Sequence, residues 1–392
     1  MDIIKKKWSN KLTKIGSAAA IAMSLAIAAP VQAAIHHVIV FGDSLSDGGN
    51  NTWITTEGPY VGATISNPAQ DGHRYSWANY FVEHFDQQQG YGDNAALQIS
   101  SKATPSSTNI NYAWASAETG MHYLNDMTSS PYFVYNDDQC DKPGALNPEG
   151  GVYCVPSVGK QIELFLANQG QRPSYRQESL FILWAGGNDM FNDIAKITEK
   201  LAIEPGVTAD EAQQQAFLKQ MTQIANQEQG EDQGLSYPIY NIVKDIQMLR
   251  SAGVPYKHIL VIGMPDLSTV PAIKQMMEGN EWALPLLSGV SDVYNSALWA
   301  AVKVNTVAMA KFFNPMPLLN DIVKDKQYVA SNGETFLFPN VDEPCYKEAY
   351  SPDLPIRDCS GFLFYNLKHP TNETHQALAD AMWDYVSANF NL

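Results

Sequence analysis

Positive charge is scarce in this chain: 25 Lys and Arg stand against 41 Asp and Glu, for a formal net charge of −16. Nucleic acid rewards basic patches, so binding to DNA or RNA is not expected. Recruitment to anionic membranes by charge is disfavoured for the same reason. Metal-binding patterns are missing too. The four cysteines include no Cys-x-x-Cys and the eight histidines no paired ligand spacing, so no metal site is expected. No apolar run reaches the roughly 20 residues that a membrane-spanning helix needs, which argues against stable insertion. There is no internal repeat, and no disorder-like composition. With 45% hydrophobic residues in 392, the chain can build the core of one large domain with insertions.

The few basic residues are unevenly spread. Lys5, Lys6, Lys7, Lys11 and Lys14 precede an apolar run from Ile15 to Ala29, and Val31-Gln32-Ala33 follows. A charged start, an apolar middle and small residues at the end predict a secretory signal peptide over residues 1–33. Residues 34–392 are then a single domain, exported to the periplasm or beyond. Without residues 1–33, 20 basic and 40 acidic residues remain, a net charge of −20. The cysteines fit export. Cys140 and Cys154 are fourteen apart, as are Cys345 and Cys359, and each pair brackets a loop without helical period. Two local disulfides are expected in an oxidising compartment; the other two connectivities remain open.

Apolar runs mark the strands. Val38–Phe41, Leu180–Trp184 and Ile259–Met264 are unbroken, as strands of a parallel sheet buried on both faces should be; Asn109–Ala113 is a further candidate. Helical spacing appears over Val158–Ala167, Ala209–Asn226, Ile239–Arg250, Leu286–Phe313 and Thr371–Asn389. Residues 51–135 are expected to be loop-rich and aromatic, and 314–360 an ordered loop. Strand–helix alternation predicts an α/β fold with a parallel sheet flanked by helices.

One stretch organises the rest: His36-His37-Val38-Ile39-Val40-Phe41-Gly42-Asp43-Ser44-Leu45-Ser46-Asp47. A strand that breaks at Gly42 delivers Ser44 to the carboxyl edge of the sheet, where α/β proteins keep their chemistry. Alone, such a Ser is as well read as a helix cap. The block Phe-Gly-Asp-Ser-Leu-Ser-Asp, however, resembles the first block of the GDSL (SGNH) hydrolase superfamily, in which the Ser is the nucleophile. Asn111–Ala117, Trp184–Asp189 and Tyr365–Thr371 resemble its later blocks in the required order. The resemblance implies a flavodoxin-like, five-stranded parallel sheet, no cofactor, and a serine esterase mechanism with Ser44 as nucleophile and His369 as general base. It implies an oxyanion hole from the Ser44 and Ser116 backbone N–H groups and the Asn188 amide.

Two positions depart from that family. Ser116 stands where the second block has Gly. Asn366 stands where the last block has the Asp that orients the His. In serine proteases an Asn in that role costs about ten-thousand-fold, because it selects the wrong tautomer. Three arrangements are open: Asn366 orients His369, another carboxylate such as Asp266 or Asp358 replaces it, or Ser44 and His369 work as a dyad. Within the superfamily the chain resembles secreted bacterial lysophospholipases, phospholipases A and glycerophospholipid:cholesterol acyltransferases. A lipid or acyl ester at a membrane surface is therefore the expected partner. The alternatives are a carbohydrate or acetyl esterase, and a secreted binding protein on a decayed hydrolase scaffold.

Overall fold

The unbroken apolar runs become the centre of a sheet covered on both sides. The computed structural model describes residues 34–50, 75–90, 96–100, 102–126, 134–135, 146–147, 152–226, 234–347 and 357–392. Residues 1–33, with the expected signal peptide, lie outside the described residues. Six strands form the main sheet: β1 (His37–Gly42), β2 (Gln98–Ile99), β3 (Ile110–Asn111), β4 (Ser179–Trp184), β5 (Ile259–Ile262) and β6 (Lys311–Phe313). Their order is β6-β5-β4-β1-β3-β2, and every neighbouring pair is parallel. Five strands were expected; the additional one is the two-residue edge strand β2. Without it the order is that of a flavodoxin-like sheet.

The strand order reverses at β1. The chain leaves β1 to build β3 on one side and returns to build β4 on the other. That is a switch point, and it opens a crevice beyond the carboxyl ends of β1 and β4. The two strands pair from His37 opposite Ser179 through Gly42 opposite Trp184, so Ser44 and Asn188 follow adjacent strand ends.

Side chains alternate along a strand, so a sheet covered on both faces needs apolar residues at every position. Val38, Val40, Leu180, Ile182, Leu260 and Ile262 face one layer, which includes the helices Trp77–Gln89 and Asn372–Asn389. Trp77, Phe81 and Phe85 are fully buried there, each stabilising the fold by about 1.5–3 kcal/mol relative to exposure. Phe41 and Phe181 pack on the other face against Phe165 of the helix Val158–Ala167. The two helices of the first layer are also joined by polar contacts. His84 Nε2 lies 2.6 Å from Asp380, Tyr80 donates to Asn372 at 2.7 Å, and the Trp77 N–H donates to His375 Nδ1 at 3.2 Å.

Several expectations change. The loop-rich stretch contains the helix Trp77–Gln89, whose start is fixed by the Ser76 N–H donating to Asn79 Oδ1 at 3.1 Å. The helix expected over 286–313 is Leu284–Asn305, and its last residues turn back as β6. Residues 314–360, expected as loop, hold the helix Met316–Asp325 and an antiparallel hairpin pairing Gln327–Val329 with Thr335–Leu337. The helix Gly187–Lys200 begins inside the Gly-Gly-Asn-Asp turn. A second, antiparallel sheet joins Tyr123–Asp126, Val134–Tyr135, Leu146–Asn147 and Val152–Pro156. Cys345 and Cys359 are bonded as expected; the Cys140–Cys154 pairing rests on Cys140, outside the described residues.

Candidate active site

The turn after β1 is held from several sides. Gln161 reads Gly42 like a neighbouring strand, accepting from its N–H and donating to its carbonyl, both at 2.9 Å. Only Gly fits here, because a Cβ would collide with the Trp184 carbonyl oxygen. The Asp43 carbonyl accepts from the N–H groups of Ser46 and Asp47, closing the turn. Asp47 then accepts from the N–H groups of Gly49 and Asn50 at 2.7 Å, and of Ala115 at 2.8 Å. Asn50 donates to the carbonyls of Asn111 and Ala113, and Asn111 donates back to the Ser46 carbonyl at 2.6 Å. Ser44 sits half-buried at the tip of this braced turn. Its hydroxyl caps no helix: among the described residues it has no hydrogen-bond partner.

The same bracing carries residues 111–117 past the Ser44 turn. Ser116 lies in the left-handed region, with φ 70, a conformation that favours Gly. Across the crevice, β4 ends at Trp184 and turns through Gly186, whose φ is 104. A Cβ there would strike the Tyr294 hydroxyl. The helix Gly187–Lys200 follows, and Asn188 Nδ2 donates to the Ala117 carbonyl at 2.8 Å. That bond fixes which end of the amide is nitrogen and leaves its second hydrogen without a described partner. Asp189 grips the same segment, accepting from Thr119 N–H at 3.1 Å and Thr119 Oγ1 at 2.7 Å. Among the described residues, the Ser44 and Ser116 N–H groups donate to no protein acceptor. Backbone N–H groups and a side-chain amide are the kinds of donor that can hold an oxyanion.

His369 lies where a loop meets the final helix. Thr371 caps that helix and donates to the Phe362 carbonyl at 2.7 Å. Asn366 Oδ1 accepts from the backbone N–H groups of Lys368 and His369, each at 2.9 Å, and lies 3.2 Å from His369 Nδ1. The two backbone donors identify Oδ1 as the oxygen, so Nδ1 must carry the ring proton. The lone pair is left on Nε2, the tautomer that a general base needs. The other two carboxylates are engaged elsewhere. Asp266 accepts from Ser268, Ser288 and Asn320, and the exposed Asp358 accepts from Ser360. Asn366 is thus the group on His369 Nδ1. Burial first, then the Lys368 ammonium and His375, push His369 down to about 3, so its imidazole is neutral at ordinary pH.

Ser44, Asn188 and His369 line one cavity that opens to solvent. Ser116 is not among its lining residues; it adjoins Ala117, whose carbonyl holds Asn188. Most of the wall is apolar, including Phe191, Met264, Leu267, Leu319, Leu363 and Phe364. Pairs of hydrogen bonds hold this wall too: Asn295 accepts from Met264 N–H at 2.6 Å and donates to its carbonyl at 2.8 Å. No hydrogen bond joins Ser44 to His369 in the described residues, a common state before substrate binds.

Sequence reasoning missed Asp43 and Lys368, both of which line the cavity. Each is the immediate neighbour of a candidate catalytic residue, which was the signal available. Asp43 is buried, and that burial raises it to about 7. Among the described residues, no group of His, Cys, Asp and Glu is arranged to hold a metal ion.

Comparison with curated proteins gives no match. A family model described as GDSL-like Lipase/Acylhydrolase matches residues 38–382, a span that starts in β1, takes in Ser44, Asn188 and His369, and ends within the last helix. With the match covering most of the sequence and the fold in agreement, the chain belongs to the GDSL-like lipase/acylhydrolase family of ester hydrolases.

Proposed function

We propose that the protein is an exported serine esterase that hydrolyses acyl esters of phospholipids and lysophospholipids through an acyl-Ser44 intermediate. Transfer of the acyl group to an alcohol such as a sterol is a second outcome of the same intermediate. The observation that carries this reading is one apolar cavity holding Ser44, Asn188 and a His369 whose tautomer is set by Asn366. Ser44 Oγ attacks the ester carbonyl carbon while its proton passes to His369 Nε2. The oxyanion is held by the N–H groups of Ser44 and Ser116 and by the Asn188 amide. As the tetrahedral intermediate collapses, the C–O bond to the alcohol breaks and His369 returns the proton to the leaving oxygen. Water then attacks the acyl-Ser44 carbonyl, giving its proton to His369, and the free fatty acid departs as Ser44 is re-protonated.

Residues 1–33 act as a signal peptide ahead of a single catalytic domain, and the Cys345–Cys359 bond supports an oxidising destination. The apolar wall favours a long acyl chain over the acetyl group of a carbohydrate esterase.

The test is fatty-acid release from lysophosphatidylcholine by the exported protein, beside Ser44→Ala and His369→Ala. Wild type should be active, and each variant should lose about a thousand-fold or more. A wild type silent on lipid and short acyl esters, and unlabelled by a fluorophosphonate, would replace this reading with that of a binding protein.

A further inference from the structure

Two consecutive residues at the start of the helix Gly187–Lys200 grip the loop that carries Ser116. Asn188 Nδ2 donates to the Ala117 carbonyl at 2.8 Å. Asp189, 7% exposed, uses both oxygens on Thr119, accepting from its N–H at 3.1 Å and from its hydroxyl at 2.7 Å. Asn241, on the helix Ser236–Ser251, donates to that hydroxyl oxygen at 3.0 Å, so the hydroxyl's own hydrogen goes to Asp189. On the near side of the loop, Asp47 Oδ2 accepts from the Ala115 N–H at 2.8 Å. Ser116 lies between two carboxylate clamps.

The backbone between the clamps is strained. Ser116 has φ 70, a region that a residue with a Cβ keeps only where its surroundings over-determine it. A carbonyl held at residue 117 and an N–H held at residue 119 fix the rotation of the segment as well as its place. With the second hold released, residue 116 can relax toward negative φ, and its N–H turns with it. Asp189 does not line the cavity, so any effect it has on the reaction passes through this loop.

We propose that Asp189 is a positioning residue: by clamping Thr119 it keeps the strained Ser116 backbone in the conformation that offers its N–H to the oxyanion. The inference rests on the esterase reading of the site and assigns the residue that holds one of its oxyanion donors in place.

The experiment measures kcat and KM on a p-nitrophenyl ester. Burial and Glu118 raise Asp189 to about 7, so the assay runs at about pH 8.5, where the carboxylate is ionised. Asp189→Asn keeps the shape but has one acceptor oxygen for two donors. It should lower kcat about ten- to a hundredfold with KM changed less than about twofold, because the oxyanion exists only beyond the ground state. Thr119→Val keeps the N–H bond and loses the hydroxyl; it should give a smaller loss of the same kind, and Thr119→Ser should restore most of it. The same changes are then made on Ser116→Gly. Gly holds a positive φ without a clamp, so there Asp189→Asn should cost about threefold or less. Should Asp189→Asn not fold, the Thr119 variants carry the comparison in both backgrounds. Equal losses of kcat in the two backgrounds, or a lower melting temperature with kcat unchanged, would make the clamp structural only and overturn the proposal. Failure of the esterase reading looks different: wild type would then neither cleave the ester nor label with a fluorophosphonate, and the inference would fall with it.

Discussion

At the scale of single residues, the site turns on an Asn carbonyl where similar enzymes use a carboxylate. Asn366 supplies the orientation but no charge for the imidazolium that forms during reaction. Asn366→Asp should keep both backbone hydrogen bonds and the tautomer while adding that charge. A charge-assisted bond in place of a neutral one is worth about 1–2 kcal/mol, or roughly tenfold in kcat. The same change should move the acid limb of the kcat/KM profile upward, since wild-type His369 is held down to about 3 and a carboxylate favours its protonated form. A pH–rate series on a p-nitrophenyl ester checks both; no gain in rate would mean that charge stabilisation is already supplied. Ser116 makes the complementary case. Its φ of 70 costs a non-Gly residue about 1–2 kcal/mol, partly offset in Ser116→Gly by the larger unfolded-state entropy of Gly. That variant should retain activity and melt at the same temperature or a few degrees higher, because the donor proposed here is the backbone N–H. Lost activity would instead give the hydroxyl a role. Both departures were legible in the sequence. Their consequences were not, because they depend on which atom Asn366 presents and on the backbone at residue 116.

At the scale of elements, turns are clamped by side chains from distant helices. Asn295, on the helix Leu284–Asn305, binds both backbone groups of Met264 and is 2% exposed. Asn295→Ala would leave two buried backbone groups unpaired and should destabilise the protein by about 2–4 kcal/mol, read as a lower midpoint in urea with an unchanged slope. A loss below 0.5 kcal/mol would mean that water replaces the amide. The sequence showed the strands that carry the site because β1, β4 and β5 are buried on both faces and must be apolar throughout. It showed Val158–Ala167 to the residue. It did not show β2 or β6, since strands of two or three residues at an edge have no period to detect. The helix Trp77–Gln89 was hidden because Trp77, Tyr80 and Phe81 read as part of an aromatic loop until the last helix is there to cover them. Lys368 entered the cavity through folding, not through any pattern of its own.

At the scale of the whole molecule, buried charge sets the dependence of stability on pH. Burial raises Asp43 and Asp189 to about 7, and raises Asp245, 1% exposed, well above the usual carboxylate range, with Asp189 adding to the shift. Stability from such raised carboxyls is fully present below their unfolded pKa near 4 and is lost as pH rises through the folded value. The histidines oppose this. Burial lowers His37 and His258 to about 4 and His369 to about 3, so their stability is present above 6.5 and lost as pH falls. The two trends offset each other between pH 4 and 6.5. Asp245→Asn should therefore raise the melting temperature more at pH 8 than at pH 5. Equal effects at the two pH values would show that burial does not raise Asp245. The position of His369 has a consequence in time. Ser44 follows the first strand and its proposed base comes only just before the last helix, which docks on Trp77–Gln89 through His84, Tyr80 and the Trp77 backbone. A chain still being made, or one clipped before residue 369, would have the proposed nucleophile but not the proposed base. On the mechanism proposed here, no ester of the cell that makes it can be cut until residue 369 has been made.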